Sequence, residues 1–169
     1  MSSFAPDVTG NAGDAATLNG KLRDLLRELE VTTTDGPDGA LWAEYTPGGY
    51  EPIGVRFRLP AGLGIVAVEG ELVELGDEVA DDLWIALNYL NSEVSTYRFF
   101  VGEGRSGKAV FARQDLLPNL EDEPALHPRE LRQAMTGLCA QGAIFAESLK
   151  QVQGGRSWHY VKDALRAFR

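Results

Sequence analysis

Residues 97–113 hold two short β-like runs joined by a glycine-rich loop, and this segment limits the possible folds more than any other. In the first run Tyr97, Phe99 and Val101 alternate with other residues, so their side chains would share one face of an extended strand. The second run, residues 109–113, is small, β-branched and aromatic, without helical spacing. Two such runs around a polar loop predict an antiparallel hairpin.

The glycines of this loop also match two phosphate-binding motifs. Gly102, Gly104 and Gly107 fit G-x-G-x-x-G, and Gly102–Lys108 fits G-x-x-x-x-G-K-S/T up to its last position. A phosphate loop opens a helix and has a Ser or Thr after the lysine, whereas here Ala109 begins the second β-like run. The sequence therefore favours a hairpin turn, and a nucleotide site in this loop is the alternative.

Helical spacing of apolar residues occurs in three long segments and one short one. The first helix is predicted from Asp14 to Glu30, with a leucine stripe that begins at Leu18. The second is predicted from Glu78 to Val94, and the third begins with Pro128 in its first turn and continues for about 25 residues. A short C-terminal helix can start at Ser157.

Three β-like segments lie between the first two predicted helices. They are residues 41–45, the alternating run 53–59, and a run that begins at Gly64 and can extend to Leu75. The order is helix, three strands, helix, two strands, helix and terminal helix. Strands and helices in blocks predict an α+β fold, with helices packed on an antiparallel sheet of about five strands.

The chain of 169 residues suits a single domain. We expect a flexible N-terminus over residues 1–13, one α+β domain over 14–153 and a helical extension over 154–169. The single Cys139 excludes an intramolecular disulfide and fits a reducing compartment. No run approaches the about 18 apolar residues of a membrane span, and the N-terminus does not resemble a signal peptide. We therefore expect a cytoplasmic protein that does not enter a membrane.

The net charge of −9 argues against direct, non-specific binding to nucleic acid. Residues 156–169 are an exception, because four basic residues stand there against one acidic residue. An acidic protein attracts basic partners, although a solvated surface is the simpler explanation of the charge. A nucleic-acid-associated role through the basic C-terminal tail is a second alternative.

No residues form a recognisable catalytic, cofactor-binding or metal-binding set. His127 and His159 lack Cys or carboxylate neighbours at metal-ligand spacing, and His127 is expected at a helix N-terminus before Pro128. Cys139 lies next to the apolar Leu138 on the third helix, which is typical of a buried and inert thiol. We therefore expect no enzyme, no cofactor, no metal and no small-molecule substrate.

The second helix and the hairpin together resemble a known family. The helix ends in the stretch Leu87–Asn91, and an aromatic strand, a glycine turn and a second strand closing on Leu116–Pro118 follow. This arrangement resembles the YbjN family of bacterial proteins, which is similar in fold to the type III secretion chaperones. The resemblance covers about residues 15–152 and is strongest over 79–118. The glycine turn is longer than expected, and the C-terminal helix lies outside the resemblance.

The resemblance implies a small homodimeric α+β module without catalytic residues that binds a client protein. Such chaperones capture extended segments through apolar patches or sheet edges. Apolar and aromatic residues are the candidates for the client surface: Leu18, Leu22, Leu25, Trp42, Tyr45 and Tyr50. The candidates for the dimer contact are Trp84, Tyr89, Trp158 and Phe168. Core or edge packing is the alternative for these side chains, and a basic or nucleic-acid-binding client would suit the acidic charge.

Overall fold

The computed structural model describes residues 11–36, 38–61, 63–117 and 126–166. The elements, in chain order, are α1 (Asn11–Glu28), β1 (Thr33–Asp35), β2 (Leu41–Tyr45), β3 (Ile53–Arg58), β4 (Val66–Glu74), α2 (Asp81–Glu93), β5 (Arg98–Glu103), β6 (Lys108–Leu116), α3 (Pro128–Gln153) and α4 (Trp158–Arg166). Of the predicted flexible N-terminus, residues 1–10 lie outside the described ranges, and residues 11–13 begin α1.

Six antiparallel strands form one sheet in the order β1-β2-β3-β4-β6-β5. The predicted α+β class is confirmed. The sheet has six strands where about five are predicted, and the additional strand is β1, three residues that pair with β2. The sequence Thr33–Asp35 has no apolar alternation, so its pattern does not indicate a strand. A tight turn, in which the Gly36 N–H donates to the Ala40 carbonyl at 2.8 Å, folds β1 onto β2.

One face of the sheet and the apolar sides of α1, α2 and α3 share a single hydrophobic core. In β3, for example, Val55 and Phe57 are 0% and 1% exposed and belong to this core. The helix α3 comes close to the sheet because β4 has a glycine there. A Cβ atom added at Gly70 would lie 2.9 Å from Ile53 Cδ1 and 3.0 Å from Leu138 Cβ.

The opposite face of the sheet carries a buried ion pair. Arg56 and Glu69 are 4% and 0% exposed, and Arg56 Nε donates to Glu69 Oε2 at 2.6 Å. The Arg56 guanidinium lies 4.3 Å from the ring centroid of Phe111 and 5.3 Å from that of Trp42. Its Nη1 donates to the carbonyl of Glu103 at 2.7 Å. The pair thus links β2, β3, β4 and β6 to the end of β5.

We predict that Arg56→Ala lowers the free energy of unfolding by about 3–5 kcal/mol, because it leaves the Glu69 carboxylate buried without its main partner. Arg58→Ala on the same strand is the control, since Arg58 is 47% exposed and 3.9 Å from Asp38. Its loss should cost less than about 1 kcal/mol. Urea unfolding of both variants measures the difference, and equal losses would contradict the assignment of Arg56.

Candidate functional site

The glycine-rich loop is the turn of a hairpin, as the sequence predicts. β5 and β6 pair antiparallel, and Glu103 faces Lys108 in the last pair before the turn. The Gly104 N–H donates to the Gly107 carbonyl at 2.6 Å, and Gly107 has a φ of 128°, which favours glycine.

The geometry of a phosphate loop is not formed here. A strand begins at Lys108, so the loop does not open a helix whose first N–H groups could bind a phosphate. The Lys108 ammonium donates to the carbonyl of Asp77 at 3.0 Å, and the backbone N–H of Arg105 faces the carboxylate of Glu71 at 3.5 Å. The Glu71 carboxylate therefore takes up an N–H donor that a bound phosphate would need.

The tip of this hairpin folds over the face of the sheet opposite the helices. The Arg105 guanidinium lies 5.7 Å from the ring centroid of Trp42, and its Nε is 3.8 Å from Glu71 Oε2. It occupies the space beside Gly54, where an added Cβ would lie 2.9 Å from Arg105 Cζ. Trp42, a predicted client-binding residue, is consequently 8% exposed and packs against Phe111.

The leucine stripe of α1 faces the core. Leu18 and Leu22 are 5% and 1% exposed, and Leu25 is half-buried against the same core. Leu18 and Leu22 are therefore not on the surface of the monomer, contrary to what a client-binding role would need. Tyr45 is half-buried with its hydroxyl 3.3 Å from Thr136 Oγ1, whereas Tyr50 is 40% exposed.

Of the predicted dimer residues that the structure describes, Trp84 is the exposed one, on the outer side of α2. Trp84 is 48% exposed and its neighbour Ile85 is 50% exposed. Tyr89 is half-buried, because its ring packs on Trp158 of the same chain with centroids 5.4 Å apart. Phe168 lies outside the described residues.

The C-terminal helix α4 docks onto its own chain. Trp158 is 2% exposed, and its backbone N–H donates to the Asp82 carboxylate at 2.9 Å. The ammonium of Lys162 lies 4.1 Å from the ring centroid of Tyr89. Trp158 is therefore a core residue that attaches α4 to α2, and the monomer does not present it to a partner.

The outer edge of β5 is partly closed by a side chain. Asn91 Nδ2 donates to the Phe99 carbonyl at 2.8 Å, and the Phe99 N–H donates to Asn91 Oδ1 at 2.7 Å. The Asn91 side chain thus makes the two hydrogen bonds with Phe99 that a neighbouring strand would make. This gives a physical role to the Leu-Asn stretch that precedes the hairpin, and it opposes the addition of a client strand there.

A groove that the sequence analysis missed runs between α3 and the ends of β3 and β4. Its volume is about 520 Å³. The small and apolar residues that line it include Ile53, Leu72, Gly142, Ala143 and Ala146. Its charged lining residues are Glu51, Glu71, Glu74, Glu147, Arg105 and Lys150. The only sequence signal is the run of small residues on α3, which indicates close packing as readily as a groove.

His127 and Cys139 occupy structural positions, and His159 lies on the surface. His127 caps α3, as expected, and its Nδ1 accepts the Arg129 N–H at 3.4 Å. His159 is exposed on α4. Cys139 is 1% exposed, and burial raises the pKa of its thiol to about 11.

In the described ranges no group of three His, Cys, Asp or Glu residues could hold a metal ion. No described helix is both long and apolar enough to span a membrane.

Comparison with known proteins gives a likeness of fold. No protein-family model matches the chain, and no curated protein matches its sequence significantly. A chain in the solved structure of the HopA1–SchA chaperone–effector complex is similar, with a TM-score of 0.53 and 16% sequence identity. The match covers 80% of the present chain and 97% of that chain. The fold, a sheet with helices packed on it, is therefore shared with a component of a chaperone–effector complex.

We predict that the thiol of Cys139 in the folded protein reacts with Ellman's reagent at pH 8 far more slowly than in urea. A pKa of about 11 leaves little thiolate at that pH, and the reagent cannot reach a side chain that is 1% exposed. Because the pKa of the Cys139 thiol is higher in the folded protein than in the unfolded chain, the free energy of unfolding should fall as the pH rises from about 9 towards 11. Equal rates in buffer and urea would show that the thiol is accessible.

Proposed function

We propose that this protein is a non-catalytic, homodimeric protein-binding module, chaperone-like or regulatory, that holds a segment of a client protein in the cytoplasm. The observation that carries the proposal is the likeness to a chain of a chaperone–effector complex over 97% of that chain. The Leu-Asn helix and aromatic hairpin, through which the sequence resembles the YbjN family, support the same function.

The outer side of α2 is the proposed dimer contact. Trp84 and Ile85 are adjacent, and each exposes about half of its surface, at 48% and 50%. Large exposed apolar side chains commonly mark protein interfaces, where tryptophan is enriched. Tyr89 lies on the same helix, and its ring packs on Trp158 of α4 in the same chain.

Client binding is proposed for surface that the core and the hairpin leave open. Tyr50, in the turn between β2 and β3, remains exposed, and Tyr45 and Leu25 are half-buried. Leu18, Leu22 and Trp42 are assigned to packing instead. The net charge of −9 would attract a basic client over long range, including one whose own partner is a nucleic acid.

We expect light scattering to give about twice the monomer mass of 18.4 kDa. Trp84→Glu should return the mass to that of the monomer, since it places a charge in the proposed apolar contact. Ile144→Glu is the control, because Ile144 is 53% exposed on α3 and should leave the mass unchanged. A wild-type monomer at micromolar concentration would refute the dimer.

We also expect affinity purification of the tagged chain from its native cell to recover one partner protein in stoichiometric amount. Calorimetric titration with ATP, GTP and NAD at millimolar concentration should give no binding heat, because the Gly104 and Arg105 amides and the Lys108 ammonium are bonded within the chain. Saturable binding of a nucleotide would instead support the alternative site at Gly102–Lys108.

A further inference from the structure

The groove beside α3 joins an apolar floor to an acidic rim. Ile53, Leu72 and Gly142 meet in the floor, where a Cβ added to Gly142 would lie 3.5 Å from Ile53 Cγ2 and 3.6 Å from Leu72 Cδ2. These are ordinary contact distances, so the missing methyl group leaves space. The volume of about 520 Å³ falls within the range of about 300–1,000 Å³ that is typical of ligand-binding clefts.

The charges at the rim do not cancel. Glu71 lies 3.8 Å from Arg105, and these two residues neutralise each other. Glu51, Glu74 and Glu147 then face the single cation Lys150. Glu147 accepts a hydrogen bond from Gln151 at 3.2 Å but, within the described part of the chain, neither it nor Glu51 or Glu74 has an ion-pair partner. The rim therefore keeps an excess of negative charge.

We propose that this groove binds a client segment in which an apolar side chain is flanked by lysine or arginine. The apolar side chain would bury against Ile53 and Leu72, and the basic side chains would pair with the rim carboxylates. This inference rests on the proposed protein-binding function and names the chemistry of the client. A nucleotide, an acidic peptide or the groove of a second copy would each bring further negative charge to the rim.

Two pairs of variants test the groove without relying on one substitution. Ala143→Trp places an indole at the groove, and the neighbouring Ile144→Trp is its control, because Ile144 is 53% exposed and does not line the groove. Glu147→Lys reverses a rim charge, and Glu93→Lys makes the same change at an exposed position at the end of α2.

The probes are two fluorescent peptides with identical leucines, one carrying lysines and the other glutamates between them. By fluorescence anisotropy with the full chain, we expect the lysine peptide to bind at least about tenfold more tightly than the glutamate peptide. Ala143→Trp and Glu147→Lys should each weaken that binding about tenfold, and the controls should change it less than about twofold. Added salt should weaken binding of the lysine peptide.

Three results would overturn the groove assignment. They are equal affinity for the two peptides, no binding of the lysine peptide at millimolar concentration, and equal losses in the groove variants and their controls. In each of these cases the proposed function stands if the wild-type chain still captures its client and Ala143→Trp captures it equally well. A wild-type chain that is monomeric and captures no client would refute the proposed function, whatever the peptides do.

Discussion

The arrangement of the sheet depends on the buried ion pair between Arg56 and Glu69. Both side chains are buried, and each charge is stabilised mainly by the other, since Arg56 Nε lies 2.6 Å from Glu69 Oε2. The aromatic rings of Trp42 and Phe111 cover the guanidinium, and Arg113 adds a second cation 3.6 Å from Glu69 Oε1. Because these residues come from four strands, a change in strand register would break the pair.

The ion pair also explains why the glycine-rich hairpin has its particular position. Arg56 reaches the carbonyl of Glu103 at the end of β5, and Arg105 lies over Trp42 and beside Gly54. The loop that resembles a phosphate site therefore covers the helix-free face of the sheet. Surfaces that stay open to a partner include the outer side of α2, Tyr50 and the groove beside α3, and the proposed functions use these.

Local patterns were sufficient for most of the elements. Alternation at Tyr97, Phe99 and Val101 indicates one strand, and the β-branched and aromatic run after Lys108 favours a second strand over a helix, so the hairpin was predictable. The strand β1 was not, because three polar residues become a strand only when a turn places them beside β2. Periodicity shows which side of a helix is apolar but not what covers it, so the leucine stripe of α1 does not by itself show that Leu18 and Leu22 are buried.

The α+β class, the antiparallel hairpin and the amphipathic helices are predictable from local residue patterns, and the negative charge follows from composition. Which apolar sides are covered depends on how the elements pack in three dimensions. Trp158 lies inside, against Tyr89, and Trp84 lies outside, although both are tryptophans on amphipathic helices. The same packing forms the acidic groove from β3, β4, the hairpin tip and α3. No local pattern records such a site, because these residues meet only when the sheet and α3 pack together.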